Sequence, residues 1–407
     1  MSKVKYIAVT LGPIFKTIGL AESTGALWAA SYMFSYLSKS ICEYLLEHSE
    51  FNISEEDIIV PYYHKNAAGT KEDSAAADVI VSDGVGRFPD HIIFRAKNFD
   101  VTNFSALRNS VIRSLANTFG FKEGEGDDYL RRYMLIACTA FDVDEENGEN
   151  PILKSGLALD SLELFQPIIR VESCNEIVKA VSNRSIRELP LTQGFENWPL
   201  LGEDRTSIRS TEDIADTSKD GKVREQLKKH DYYAVVRSDA DAVSKIIASL
   251  KADELRNFSR TCVLYCGEMA DLVHRYSGVT IYSGGDDLLA LLPAESSSGE
   301  TVFHFARDAK FIGFNKLAAA ADFETVQELF RNMFDSSVHV DGKYSDYLYK
   351  TLPAFYSRLT ANADIRVFEE AEHSADKTPD AAANAVRAME FVLRIAKFYI
   401  EKRGERD

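Results

Sequence analysis

One short stretch constrains the fold more than any other: GVTIYSGGDDLLALLP, which occupies Gly278–Pro293. A β-branched and aromatic run precedes its centre, and an uninterrupted apolar run follows the centre directly. Two such runs around a glycine-rich segment predict a hairpin between two buried strands. The second run has no polar alternation, so we expect the central residues to be held rigidly on a core strand.

The tip of this predicted hairpin combines paired glycines with paired carboxylates. Gly284 and Gly285, with Ser283 beside them, allow positive φ and leave no Cβ, so a ligand phosphate can approach the backbone closely. Asp286 and Asp287 repel each other, because two unit charges ~4 Å apart cost about 4 kcal/mol at an effective dielectric near 20. A pair of divalent cations would remove that repulsion. The alternative is an ordinary acidic hairpin turn.

Composition limits the classes of protein that this chain can belong to. Its 407 residues exceed one ordinary core, so we expect two or three domains. A net charge of −16 argues against broad electrostatic binding to nucleic acid or to an anionic membrane, whereas a nucleotide bound through metal suits an acidic surface. No signal peptide is recognised and no apolar run approaches the ~18 residues of a membrane span, which predicts a cytoplasmic protein. The five scattered cysteines predict no disulfide framework, and we expect Cys262 and Cys266 to pack in the core.

The first third of the chain predicts a β-α-β-β-α-β unit, which is the ferredoxin-like or palm arrangement. Strands are expected at Lys5–Leu11, Ile58–Tyr63, residues 91–96 and Tyr133–Phe141, with helices after Ser23–Thr24 and over Ser105–Phe119. The polar residues that follow predict a connector, and the stretch Gly202–Lys229 has the composition of a mobile segment.

A second β-α-β-β unit leads into the hairpin. It is predicted from a strand at Tyr232–Arg237, a short helix after it, and a longer helix over Leu255–Tyr276. Ser337–Val340 is a weak candidate for a fourth strand, and Ala354–Arg403 resembles a small helical bundle. The predicted fold class is therefore α+β. The predicted domains are a first palm-like domain at 1–145, a partly helical connector at 146–227, a second palm domain at 228–345 and a C-terminal helical region at 346–407.

Further carboxylates are expected beside the hairpin tip. If the first strand of the second unit lies next to the hairpin, Asp239 arrives at the acidic pair, and Asp241 shares its face if the strand persists that far. Such a cluster suits two Mg²⁺ or Mn²⁺ ions, which prefer hard oxygen ligands and keep substrate phosphates in their shell. Lys245, one helical turn further on, can meet a triphosphate. The alternatives are a helix N-cap for Asp239 and a solvated lysine for Lys245.

These motifs together resemble the polymerase/cyclase palm of the large subunit of type III CRISPR-Cas effector complexes. The resemblance rests on YSGGDDLLALLP, on VVRSDADAVSK and on the helix that contains RNFSR. In the first unit, LGPI followed by GALWAASYMFSYLS and the segment VGRFPDHIIF are similar to the first palm of the same family. The resemblance covers roughly residues 1–140 and 228–293, and the motifs occur in the same order as in the family.

The resemblance implies an enzyme that joins ATP into cyclic oligoadenylates when its complex binds target RNA. It implies that Asp239, Asp286 and Asp287 are metal-binding carboxylates, that Gly284 and Gly285 are turn glycines and that ATP is the substrate. It also implies partners: other subunits of a type III effector complex, with guide RNA and target RNA. Three departures from the family pattern stand out: no histidine-aspartate set of an HD nuclease, only Cys174 where a zinc module is common, and Ala242 and Ser244 in place of Asn and Gly.

Three other functions stay open at this point. One is a shortened scaffold subunit with weak or no activity, and another is a free-standing cyclic nucleotide synthase without an RNA partner. A diguanylate cyclase of the GGDEF type shares a palm hairpin, but Leu288 replaces its usual phenylalanine and it does not explain residues 1–140. Product analysis separates the enzymes, and co-purification separates a subunit from a stand-alone protein.

Overall fold

A computed structural model of the chain describes residues 3–64, 76, 84–119, 125–164, 200, 208–216, 232–239, 243–296 and 299–317. The chain divides into two compact units, one with Met1–Ala240 and Leu250–Gly313, the other with Asp241–Ser249 and Phe314–Asp407. The expected mixture of helices and sheet is confirmed. The predicted C-terminal bundle and the candidate strand at Ser337–Val340 lie outside the described residues.

The first sheet orders its strands β2-β3-β1-β4, and every neighbouring pair is antiparallel. In chain order its elements are β1 (Val4–Gly12), α1 (Ile14–Ile18), α2 (Thr24–Glu47), β2 (Ile58–Val60), β3 (His91–Arg95), α3 (Phe104–Thr118), α4 (Glu125–Tyr133), β4 (Leu135–Val143) and α5 (Pro151–Leu164). The central strand β1 is buried from Tyr6 to Leu11, as expected for an almost continuous apolar run.

Helix α2 contributes side chains to the core and contacts both sheets. It begins after Ser23, whose hydroxyl accepts a hydrogen bond from the Ala26 amide at 3.1 Å, as predicted for an N-cap. Large apolar side chains such as Trp28 and Ile41 are fully buried, and so are small residues such as Ser35. The small residues let neighbouring backbone approach the helix, and α2 packs against α3 and also against the second sheet.

The second sheet has the order β5-β7-β6, again with antiparallel neighbours. Its region contains α6 (Thr211–Ala215), β5 (Tyr233–Ser238), α8 (Ala252–Arg275), β6 (Val279–Gly284), β7 (Asp287–Pro293) and α9 (Val302–Leu317). Helix α7 (Val243–Ser249) belongs to the other compact unit. The predicted seam of α8 is confirmed, because its members are all buried: Leu255, Phe258, Cys262, Tyr265, Met269, Leu272 and Tyr276. Full burial of one such large apolar side chain contributes about 1.5–3 kcal/mol to the free energy of unfolding.

Three local predictions need correction. Tyr133, predicted to begin a strand, ends α4 instead, and its buried hydroxyl lies in hydrogen-bond contact with that of Thr17 in α1. The residues after Pro13, for which no helix is predicted, form the short helix α1. In the segment predicted to be mobile, Ser210 and Asp213 form a capping box at the start of α6, and Ile214 is fully buried in the core. Isolated apolar residues in a polar stretch give too weak a periodicity to predict this packing.

Cysteine usage agrees with the sequence. Cys262 and Cys266 are buried free thiols on α8, as predicted, and burial raises the pKa of both above the ordinary value. Among the described residues, no helix combines the length and the apolar character that a membrane crossing requires.

Candidate active site at the Gly-Gly-Asp-Asp hairpin

The two glycines of the hairpin have different tasks. Gly284 pairs with Asp287 and closes a two-residue turn formed by Gly285 and Asp286. Gly285 has φ of +67°, where a side chain is strained. At Gly284 an added Cβ would lie 2.5 Å from the Tyr282 hydroxyl oxygen and 2.7 Å from the Arg87 carbonyl oxygen. One glycine is therefore required by the backbone conformation and the other by close contact.

The hairpin is anchored on both sides by hydrogen bonds from the core. The Ser283 amide donates to the Gly86 carbonyl at 2.9 Å, which joins β6 to the segment before β3. The buried Arg87 guanidinium donates to the Cys266 carbonyl of α8 at 2.8 Å, and the Cys266 thiol donates to the Gly285 carbonyl at 3.4 Å. These contacts fix the position of the turn before any ligand binds.

Ser283 belongs to this anchoring network. Its side chain is fully buried, and its hydroxyl donates to the Cys266 carbonyl at 3.2 Å. The sequence predicts that Ser283 is a nucleotide-binding residue, and that role stays a prediction. In the structure its side chain faces α8, because alternate residues of a strand point to opposite faces of the sheet.

Asp239 lies next to the acidic pair, as the predicted strand order requires. Strand β5 pairs with β7 so that Ser238 stands opposite Leu288, and Asp239 follows directly at the level of the turn. Asp239 contributes to the raised pKa of Asp286 through its charge and through a hydrogen bond between the two side chains. The three predicted carboxylates thus converge at the turn.

The carboxylates of the turn repel one another. Burial, together with the repulsion from Asp287 and Asp239, raises the pKa of Asp286 to about 6. Burial and Asp239 also raise the pKa of Asp287, whereas the Arg237 guanidinium opposes that rise. Raised carboxyl pKa values in a cluster identify a site that a divalent cation would stabilise. The donor set is all oxygen, which fits Mg²⁺ or Mn²⁺.

Two predicted nucleotide-binding residues are not brought to this cluster by any described contact. Asp241 lies outside the described residues. Lys245 lies on α7 with an exposed side chain, in the other compact unit. Their roles therefore stay predictions.

Sequence reasoning missed two charged residues that face the turn. Arg237 lies on β5 two residues before Asp239, so both side chains are on one face of the sheet, and its charge acts on Asp287. Asp90, just before β3, is close enough for its charge to raise the pKa of both Asp287 and Tyr282. Asp90 was visible within VGRFPDHIIF, but nothing local in that segment indicates that it faces a hairpin almost 200 residues later.

Asp90 also belongs to a second group of ligand-type side chains. One ligand atom from each of Asp90, His91 and Glu163 lies within 4.8 Å of the others, so the group can hold a metal ion. His91 Nε2 and Glu163 Oε1 are 3.1 Å apart, and the Thr10 hydroxyl donates to the same carboxylate oxygen at 2.8 Å. These hydrogen bonds already satisfy His91 and Glu163 without an ion.

Comparison with known families identifies two segments of the chain. Residues 232–324 match the family described as Cas10/Cmr2, second palm domain. Residues 6–119 match the family described as CRISPR-associated protein Cmr2, N-terminal. The first match includes Asp239 and the whole hairpin, and the second includes Asp90. No curated protein matches the chain by sequence.

Three solved structures are similar to part of this chain. A Csm1–Csm4 cassette in complex with AMPPNP is 13% identical, with a TM-score of 0.47, over 79% of this chain and 49% of that one. A Csm1–Csm4 cassette in complex with cA4 is 12% identical, with a TM-score of 0.45, over 78% and 48%. The type III-B Cmr-beta complex in its apo state is 10% identical, with a TM-score of 0.47, over 76% and 61%. The chain spans about half the length of the Csm1–Csm4 chains that it matches.

Proposed function

We propose that this chain is a nucleotidyl cyclase. It carries the second palm domain of Cas10/Cmr2 and the N-terminal region of Cmr2, and so belongs to that CRISPR-associated family. It makes cyclic oligoadenylates from ATP by two-metal catalysis, as a subunit of a type III antiviral effector complex. Both sheets are ferredoxin-like palms in this proposal, with domain limits near residues 145, 227 and 345. The type III partners of this chain are other subunits, guide RNA and target RNA.

One observation carries the proposal. Asp239, Asp286 and Asp287 meet at the tip of an anchored hairpin, where burial and mutual repulsion raise the pKa of Asp286 to about 6. A merely structural acidic turn would be more stable with one carboxylate replaced by a neutral side chain. Retaining three carboxylates in a half-buried cluster is typical of a cation site.

The residues of the chain have distinct roles in the proposed reaction. Asp239, Asp286 and Asp287 would hold two divalent cations, which would supply activation of a ribose hydroxyl and stabilisation of the leaving pyrophosphate. Gly284 and Gly285 leave the backbone of the turn accessible to phosphate. Lys245 and Asp241 assist with the triphosphate. Ser283 supports the turn from behind through Cys266.

Positioning supplies most of the rate in a reaction of this kind, because the charge that develops on phosphate is met by groups already in place. The hydrogen bonds from Arg87 and Cys266 hold the turn in one arrangement, so the carboxylates need little reorganisation when the cations and ATP arrive. This anchoring also distinguishes the site from a surface turn.

The direct test is product analysis. Purified protein is incubated with each nucleoside triphosphate and Mg²⁺ or Mn²⁺, with and without type III partner subunits and target RNA, and the products are identified by mass spectrometry. The proposal predicts cyclic oligoadenylates from ATP. A matched control is Asp271→Ala, which removes an exposed aspartate from α8. Linear or cyclic dinucleotides from GTP would replace this proposal with a diguanylate-type activity.

A further inference from the structure

Phe15 is an exposed aromatic residue in an otherwise well-packed part of the first sheet. It lies on the short helix α1, directly after β1, and 79% of its surface is accessible. Its neighbour Thr17 is fully buried, so the helix is fixed while the ring of Phe15 projects outward. A single exposed apolar side chain is ordinary on a protein surface. The significance of this one depends on what lies beside it.

The neighbour of Phe15 is Arg237 of the second sheet. The Arg237 guanidinium carbon lies 5.8 Å from the centroid of the Phe15 ring, within the range of a cation–π contact. Arg237 is paired with Leu289 of β7 and shares its face of β5 with Asp239. Its charge also lowers the pKa of Asp287. Arg237 therefore contacts the aromatic ring of Phe15 and also acts on the acidic cluster.

These neighbouring groups suit the two ends of a nucleotide, its base and its phosphates. A nucleobase needs an aromatic or guanidinium plane to stack on, and its phosphates need cations or positively charged side chains. Among the described residues, the Phe15 ring offers a plane for stacking. Arg237, together with the cation-binding carboxylates, offers the positive charge for the phosphates. Such a ring costs little to keep exposed when no ligand is bound, because Arg237 partly covers it.

We propose that Phe15 is the stacking platform for the base of a nucleoside triphosphate whose phosphates meet Arg237 and the Asp239–Asp286–Asp287 cluster. The inference rests on the proposed function, since it names where the substrate of that same site places its base. Stacking tolerates any base, because every base has a π-face. Phe15 therefore contributes affinity for the nucleoside and not selection of adenine.

The experiment compares ligands with and without a base. Binding of ATP, GTP and inorganic tripolyphosphate is measured by calorimetry in Ca²⁺, for the wild type, Phe15→Ala and Phe15→Tyr. Phe15→Ala is expected to weaken ATP and GTP by roughly tenfold, as for removal of one stacking partner, with tripolyphosphate unchanged. Phe15→Tyr keeps the ring and is expected to bind like the wild type.

A matched control is Phe303→Ala. Phe303 is 70% exposed on α9, next to the hydrogen bond between the Val302 amide and the Ala294 carbonyl, at the end of β7 remote from the turn. This variant is expected to bind all three ligands normally. Arg237→Ala separates the two halves of the site, because it should weaken tripolyphosphate as well as the nucleotides.

The outcomes distinguish this inference from the proposed function. If Phe15→Ala loses ATP affinity selectively while the wild type makes no cyclic product, the platform stands and the cyclase assignment fails. If product forms but Phe15→Ala binds ATP normally, or loses tripolyphosphate equally, the platform is overturned and the cyclase stands. A wild type that binds neither ATP nor tripolyphosphate overturns both.

Discussion

The two sheets share an antiparallel arrangement but differ in what stands at their strand ends. In the first sheet, β1 is buried along most of its length and ends at Gly12–Pro13, which cannot ligate a cation through a side chain. In the second sheet, β5 is the first strand of the predicted unit, alternates between exposed and half-buried residues, and is followed by Asp239. The strands supply the scaffold in both, and a few strand-end residues distinguish the sheet that carries the carboxylate cluster.

The segment before β3 and the β6–β7 hairpin also differ in what they contribute to the site. The segment before β3 ends in Phe88–Pro89–Asp90 and connects α2 with β6. It hydrogen-bonds to α2 through Ser35 and to β6 through Gly86. The β6–β7 hairpin carries the acidic pair on its tip instead. The first sheet therefore braces the second, and its contribution to the site is indirect except where Asp90 acts on Asp287 and Phe15 contacts Arg237.

The largest expected effect comes from removing the acidic pair of the second sheet. Asp286→Ala with Asp287→Ala is expected to abolish product formation and to leave the fold intact, because these side chains repel each other and do not pack. Product is quantified by mass spectrometry and folding by thermal unfolding. The matched variant Glu163→Gln, on α5 beside the first sheet, should keep product formation. Wild-type turnover in the double variant would break the comparison.

Close contact between the sheets gives the next effect. Gly284→Ala should lower the free energy of unfolding by about 1–3 kcal/mol, because the Arg87 carbonyl oxygen is backbone and cannot turn away from a new Cβ. Gly148→Ala is the comparison, with a positive φ of +74° but open space around it, and tests the effect of backbone strain alone. Denaturant unfolding curves measure both. Equal, small losses would show that the first sheet does not brace the turn.

Several of these features were predictable from sequence. The hairpin and α8 follow from apolar runs and helical periodicity over neighbouring residues, and the approach of Asp239 follows from the strand order expected for the predicted palm unit. The buried role of Ser283 and the packing of Ile214 were not, because they depend on partners far along the chain. The contact of Phe15 with Arg237 joins residues more than 200 positions apart, and no periodicity indicates it.

Acid–base behaviour sharpens the comparison with a smaller effect. The raised pKa of Asp286, about 6, means that the folded protein binds a proton more tightly than the unfolded chain does. This stability is fully present below the ordinary carboxyl pKa near 4 and is lost as pH rises through 6, by about 1–2 kcal/mol after solvent screening.

The measurement is the free energy of unfolding at pH 4 and pH 7 with a chelator present, for the wild type and Asp286→Asn. The difference between the two proteins isolates this carboxyl from the other charges of the chain. The variant should gain stability over the wild type at pH 7 and not at pH 4. Parallel pH profiles would show that the pKa of Asp286 is not raised in the folded protein. The repulsion among carboxylates that distinguishes the second sheet from the first would then be absent.

The central claim, that the end of β5 and the hairpin tip form one metal site, is tested most directly at Asp239. Asp239→Asn keeps the shape and hydrogen bonding of the side chain and removes one negative charge, so the rate of product formation is measured against Mg²⁺ concentration for both proteins. We predict for Asp239→Asn a lower maximal rate and a curve displaced to higher Mg²⁺. An N-cap role would leave the rate nearly unchanged, because Asn caps a helix about as well as Asp. Two superimposable curves would contradict the account and remove Asp239 from the site.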